Sequence, residues 1–78
     1  MEVQLIQIFS KPSDFKVCKK CKNINWYENE TCFNLECTSG SFDEREEVVE
    51  RTVEKEYWFW QEEEGYTEEQ ADNVFYNV

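Results

Sequence analysis

The chain has no histidine, two glycines (Gly40 and Gly65), one proline (Pro12) and eight cationic side chains among 78 residues. Without histidine it lacks the commonest general base and the commonest nitrogen ligand for a metal. So little glycine leaves no glycine-rich phosphate loop, and no serine stands beside an activating partner, so no catalytic set emerges. We read the chain as non-enzymatic. No stretch of about 18 apolar residues is present, so nothing is expected to span a membrane. Met1–Ser10 has neither a basic flank nor a sustained apolar run, which argues against a signal peptide. A cytoplasmic, intracellular setting is the default expectation, and there cysteines are held as thiolates on metals more often than as disulfides.

Aromatics are plentiful, at 17% of residues, and acids outnumber cations by eighteen to eight. A chain this short buries too little apolar surface to offset its conformational entropy comfortably, so a staple is expected. The charge is uneven. Residues 1–41 are neutral, with five lysines against five acids, while residues 42–78 hold thirteen acids against Arg45, Arg51 and Lys55 and so carry the whole net charge of −10. Such a field repels duplex nucleic acid.

Val3–Phe9 predicts a strand covered on both faces, with Val3, Leu5 and Phe9 on one side and Ile6 and Ile8 on the other, ended by the turn Ser10–Asp14. Ser41 with Glu44 three residues on predicts a capping box, opening a helix from Phe42 towards a stop at Gly65. Phe42, Val49, Val53 and Trp60 mark its apolar stripe. Thr67 and Gln70 predict a second capping box, with Ala71, Val74, Phe75 and Val78 as the next apolar face.

Four cysteines fall at Cys18-x2-Cys21-x10-Cys32-x4-Cys37. Close pairing lets a tight turn aim both sulfurs at one point, and two facing turns complete a tetrahedral shell. With no histidine the ligand set is four thiolates, a closed shell that favours a structural site over a catalytic one. Zinc is the first choice of ion. Iron, two disulfides and a redox pair at Cys18 and Cys21 stand as alternatives.

The run Cys18-x2-Cys21-x3-Asn25-x6-Cys32, with Asp14-Phe15 ahead of it, resembles the small four-cysteine ribbon of the Ran-binding-protein type zinc finger. The resemblance covers residues 14–37, and the final spacing of four residues, where two are usual, departs from it. It implies binding of single-stranded RNA through a loop aromatic with arginines, or of ubiquitin through a Thr-Phe pair. Trp26 and Tyr27 stand where an aromatic would stack, but neither the arginines nor the Thr-Phe pair is present.

Lys16, Lys19, Lys20 and Lys22 are read as compensating the formal −2 charge of a zinc tetrathiolate rather than as phosphate contacts. Tyr57-Trp58-Phe59-Trp60 turns through about 300° of a helix, so one core cannot take every ring. Trp60 shares the apolar stripe, and Trp58 points away from it.

The expected fold is α+β: a strand and zinc ribbon over 1–40, then an acidic helical hairpin over 41–78 packed on it. The expected function is a zinc-stabilised adaptor or regulator binding a protein partner, or a second copy of itself, through its acidic, aromatic-rich helices, with Tyr57, Trp58, Trp26 and Tyr27 as contacts. Two alternatives are an acidic inhibitor that mimics nucleic acid, of viral type, and a single-stranded nucleic-acid binder.

Overall fold

A computed structural model describes all 78 residues and shows an α+β fold with two small antiparallel sheets. The first pairs β1 (Glu2–Gln4) with β5 (Phe75–Asn77), with Val3 opposite Tyr76. The second has β2 (Phe15–Cys18) at its centre, flanked by β3 (Ile24–Trp26) and β4 (Phe42–Asp43). Val78 stitches the two sheets together: its N–H donates to the Met1 carbonyl at 2.8 Å, and its own carbonyl accepts from the Trp26 N–H at 3.0 Å.

The expected strand over Val3–Phe9 is mostly helix. Only Glu2–Gln4 is extended, and Leu5–Ser10 forms α1. The sequence LIQIF satisfies both periods. Its strand reading pairs Leu5 with Phe9, whereas the helix puts Leu5 and Ile8, three apart, on one face, and these two are the buried ones. Gln7 closes the start by accepting from the Gln4 N–H at 2.7 Å. Pro12 then begins a short 3₁₀ turn, Pro12–Asp14, that leads into β2.

The expected capping box at Ser41 does not form. Phe42 and Asp43 pair with Cys18 and Val17 instead, so the sheet takes the residues that would have opened the helix. Asp43 then turns the chain: its carboxylate accepts from the Arg45 N–H at 3.2 Å and grips the Arg45 guanidinium at 3.0 and 2.8 Å. These bonds hold the Asp43 carboxyl down to about 2. Helix α2 therefore runs Glu46–Trp58, with Glu46 and Glu47 at its positive end. It widens into a π-helical turn, Phe59–Glu63, and the chain reverses at Gly65, whose φ of +70° suits glycine.

The second capping box is present. The Gln70 N–H donates to Thr67 Oγ1 at 3.2 Å, and Gln70 Oε1 accepts from the Thr67 N–H at 2.9 Å, opening α3 (Glu68–Asp72). The helix is shorter than expected. Val74–Val78 leave it to join β1, with the Leu5 N–H bonded to the Val74 carbonyl at 2.9 Å. A tertiary strand partner more than sixty residues away outweighs the local helical pattern here.

The core joins both sheets to the helices through Val3, Leu5, Ile8, Phe15, Val17, Ile24, Val49, Val53 and Val78. Around α2, Val49 and Val53 face this core. Val48, Arg51, Thr52 and Lys55 lie on one flank and Glu54, Tyr57, Trp58 and Gln61 on the other.

Candidate metal centre

The four cysteines converge. Their sulfurs all lie within 4.8 Å of one another, with Cys18–Cys37 at 3.6 Å and Cys21–Cys32 at 3.5 Å. Four sulfurs at the usual Zn–S bond length in a tetrahedron stand about 3.8 Å apart, so the arrangement fits a tetrahedral ion. The separations are far beyond a disulfide bond of about 2.05 Å, and all four thiols are free. Cys18 and Cys32 are buried, while Cys21 and Cys37 are half-buried, so the open side of the shell lies at the second cysteine of each pair.

The two turns share one design, which accounts for the unequal spacing. After Cys21, Lys22 adopts a left-handed φ of 65°, and after Cys37, Thr38 adopts a φ of 48°. In the first turn the Lys22 N–H returns to the Cys18 carbonyl at 2.9 Å, and in the second the Thr38 N–H returns to the Asn34 carbonyl at 3.0 Å. Asn34 thus holds the place in its turn that Cys18 holds in the first, and Cys32 lies two residues earlier. The ladder closes the same way on both sides. Cys18 N–H donates to Asn23, and Cys32 N–H to Ser39, each acceptor standing two residues beyond the second cysteine of its pair. The extra length is absorbed at the tip, where Leu35 is 90% exposed.

Asn25 supports the site from within. It is fully buried on β3, and its Nδ2 donates to Cys32 Sγ at 3.5 Å and to the Asn23 carbonyl at 3.2 Å. Its Oδ1 accepts from the Phe33 N–H at 2.8 Å and from Asn29 Nδ2 at 3.1 Å. One amide therefore ties both turns to the sheet. Burial opposes ionisation of Cys18, but the N–H groups of Cys21 and Lys20 and the neighbouring thiols outweigh it and bring this thiol down to about 6. Cys32 is pushed up, chiefly by burial. Asn25→Ala is expected to weaken metal affinity by about 10–100-fold. It should also destabilise the fold by about 1–3 kcal/mol, because the Phe33 N–H loses its partner. Competition with a chromogenic chelator, together with a denaturant titration, measures both effects.

The remaining site residues are dispersed. Trp26 is half-buried, packs edge-on against Phe15 at 5.6 Å and lies 4.7 Å from Tyr27. Tyr27 is exposed, and its hydroxyl donates to Glu28 at 2.9 Å. The aromatic run at the end of α2 divides. Trp60 packs against the core and donates from Nε1 to the Tyr76 hydroxyl at 3.0 Å, while Trp58 is 62% exposed. Tyr57 is half-buried against Phe9, with ring centres 5.9 Å apart. Its hydroxyl is buried without a hydrogen-bond partner; burial first, then the nearby Asp72 and Glu68 carboxylates, push its pKa well up.

Sequence reasoning missed a groove of about 440 Å³ built around this point. Ile6, Phe9, Tyr57 and Trp58 give it an apolar lining, and Glu54, Glu68 and Asp72 supply its carboxylates. Ile6 and Phe9 were hidden by the strand reading of α1. Lys16, one of the four lysines read as compensating the metal site, is buried, with Nζ 4.0 Å from the centre of the Phe42 ring and donating to the Asn29 carbonyl.

No helix is long and apolar enough to cross a membrane. No family model matches the chain, and no curated protein or solved structure matches it either. Cys18, Cys21, Cys32 and Cys37, on two like turns, are the group of side chains that can hold a metal ion.

Proposed function

We propose that this is a non-enzymatic, zinc-stabilised interaction module that binds a protein partner through the groove at the end of α2. Zinc suits a closed shell of four thiolates and supplies the staple a small core needs. The observation that carries the reading is the position of Trp58, 62% exposed at the mouth of a groove with an aromatic lining. Exposed tryptophan beside tyrosine is costly for a free surface and characteristic of contact centres. Three carboxylates and no cation line the groove, so a partner presenting lysine or arginine beside an apolar anchor is the best complement.

Trp58→Ala is expected to weaken partner binding, or self-association, by about 2 kcal/mol or more while leaving zinc content and helicity intact. Crosslinking in the native host, with the wild-type chain and Trp58→Ala side by side, tests this. Partners that survive the substitution at full strength would remove Trp58 from the interface. Binding through the acidic groove should also weaken as salt rises, which a salt series on the recovered complex measures.

A further inference from the structure

On the opposite flank of α2 lies a second cavity, of about 370 Å³, and its character is reversed. Lys19 and Lys22 come from the first metal-holding turn, and Arg51 and Lys55 from successive turns of α2. Half of the chain's eight cationic side chains therefore meet at one place in a protein of net charge −10.

These cations are largely unpaired. Lys19, Lys22 and Lys55 have no carboxylate within 4.0 Å, and Arg51 has only an exposed contact with Glu47 at 3.8 Å. The two acids that line the cavity are engaged elsewhere. Asp43 is clamped by Arg45, and Glu56 accepts from the Tyr76 hydroxyl. The cavity also reaches Cys18, so the four cations face the formal −2 of a zinc tetrathiolate as well as Glu56.

The lysine backbones are fixed. The Lys19 N–H is bonded to the Ser41 carbonyl at 3.0 Å, and the Lys22 N–H to the Cys18 carbonyl at 2.9 Å. The cavity floor, formed by Val17, Val48 and Thr52, is part of the folded body rather than a mobile loop. A guanidinium fork and three ammonium groups around one concavity match a compact, multiply charged oxyanion.

We infer that this cavity binds a phosphoryl group, free or carried on a small molecule, held by Lys19, Lys22, Arg51 and Lys55. A nucleic-acid strand is disfavoured as occupant because the acidic remainder of the chain repels a long polyanion.

The test is an NMR titration of the full, zinc-loaded chain at constant ionic strength. Inorganic phosphate, a nucleoside monophosphate, sulfate and a single-stranded oligonucleotide serve as separate probes. Saturable shifts in the amides of 19–22 and 51–55 are expected with phosphate, and weaker ones with sulfate. Tighter binding of the nucleoside monophosphate than of phosphate would assign an esterified ligand, and equal binding a free one. Arg51→Gln and Lys55→Gln, both at exposed helical positions, should each weaken binding by about tenfold without changing zinc content. Shifts that are uniform and do not saturate, or affinity unchanged in both variants, would overturn the assignment. So would an oligonucleotide that binds at these residues more tightly than phosphate does.

Discussion

Removing the metal is expected to unfold the sheet formed by β2, β3 and β4. Residues 27–41 contain neither strand nor helix, and this segment is tied to the rest mainly through its sulfurs, Asn25 and the Lys19–Ser41 hydrogen bond. Binding free energies for structural zinc in small peptides are about 10–16 kcal/mol, as large as the whole stability of a typical domain. Replacing Cys18 or Cys32 by Ser should have the same effect, since these are the two buried members of the cysteine cluster. Elemental analysis should give about one zinc per chain. Hydrogen exchange should show protection lost from Phe15 to Asp43, with partial protection surviving where α1 and α2 share Leu5, Ile8, Val49 and Val53. A metal-free protein that kept full protection in β2 and β3 would refute the structural role of the ion. Two disulfides in freshly prepared protein would refute the thiolate reading altogether.

The convergence of the four cysteines was legible in the sequence because its chemistry is local. Cys18-x2-Cys21 can make one kind of turn, and the absence of histidine leaves few choices of ligand. The wider spacing of the second pair is an ordinary turn with two residues added ahead of it, which becomes visible only when Asn34 is seen in the place of Cys18. The Thr67 capping box and the stop at Gly65 were legible for the same reason: each is decided within a few residues. Ser41 offered an equally good local signal and failed, because Phe42 and Asp43 found strand partners in Cys18 and Val17. The helical reading of Val74–Val78 failed likewise, because Phe75–Asn77 pair with β1. Nothing local announces either pairing. The two flanks of α2 were hidden for a further reason. Each joins residues about thirty or more positions apart, Lys22 with Arg51 on one side and Phe9 with Trp58 on the other.

The helical reading of residues 5–10 makes the second large prediction, since it changes which side chains carry the core. As a strand, this segment would set Leu5 and Phe9 on one face and Ile6 and Ile8 on the other. As helix α1, it buries Leu5 and Ile8 completely and leaves Phe9 43% exposed at the edge of the groove. Leu5→Ala and Ile8→Ala are each expected to cost about 2–5 kcal/mol, because each opens a cavity between α1 and α2 that the packed core cannot close. In a chain this short, that is a large part of the stability the apolar core supplies. Phe9→Ala should cost less than either, since much of its ring already meets water, and it should act mainly on the groove through the lost contact with Tyr57. Urea unfolding of the three zinc-loaded variants, followed by far-UV circular dichroism, separates the two arrangements. A Phe9→Ala loss equal to that of Leu5→Ala would restore the strand and remove the groove from this face of the protein.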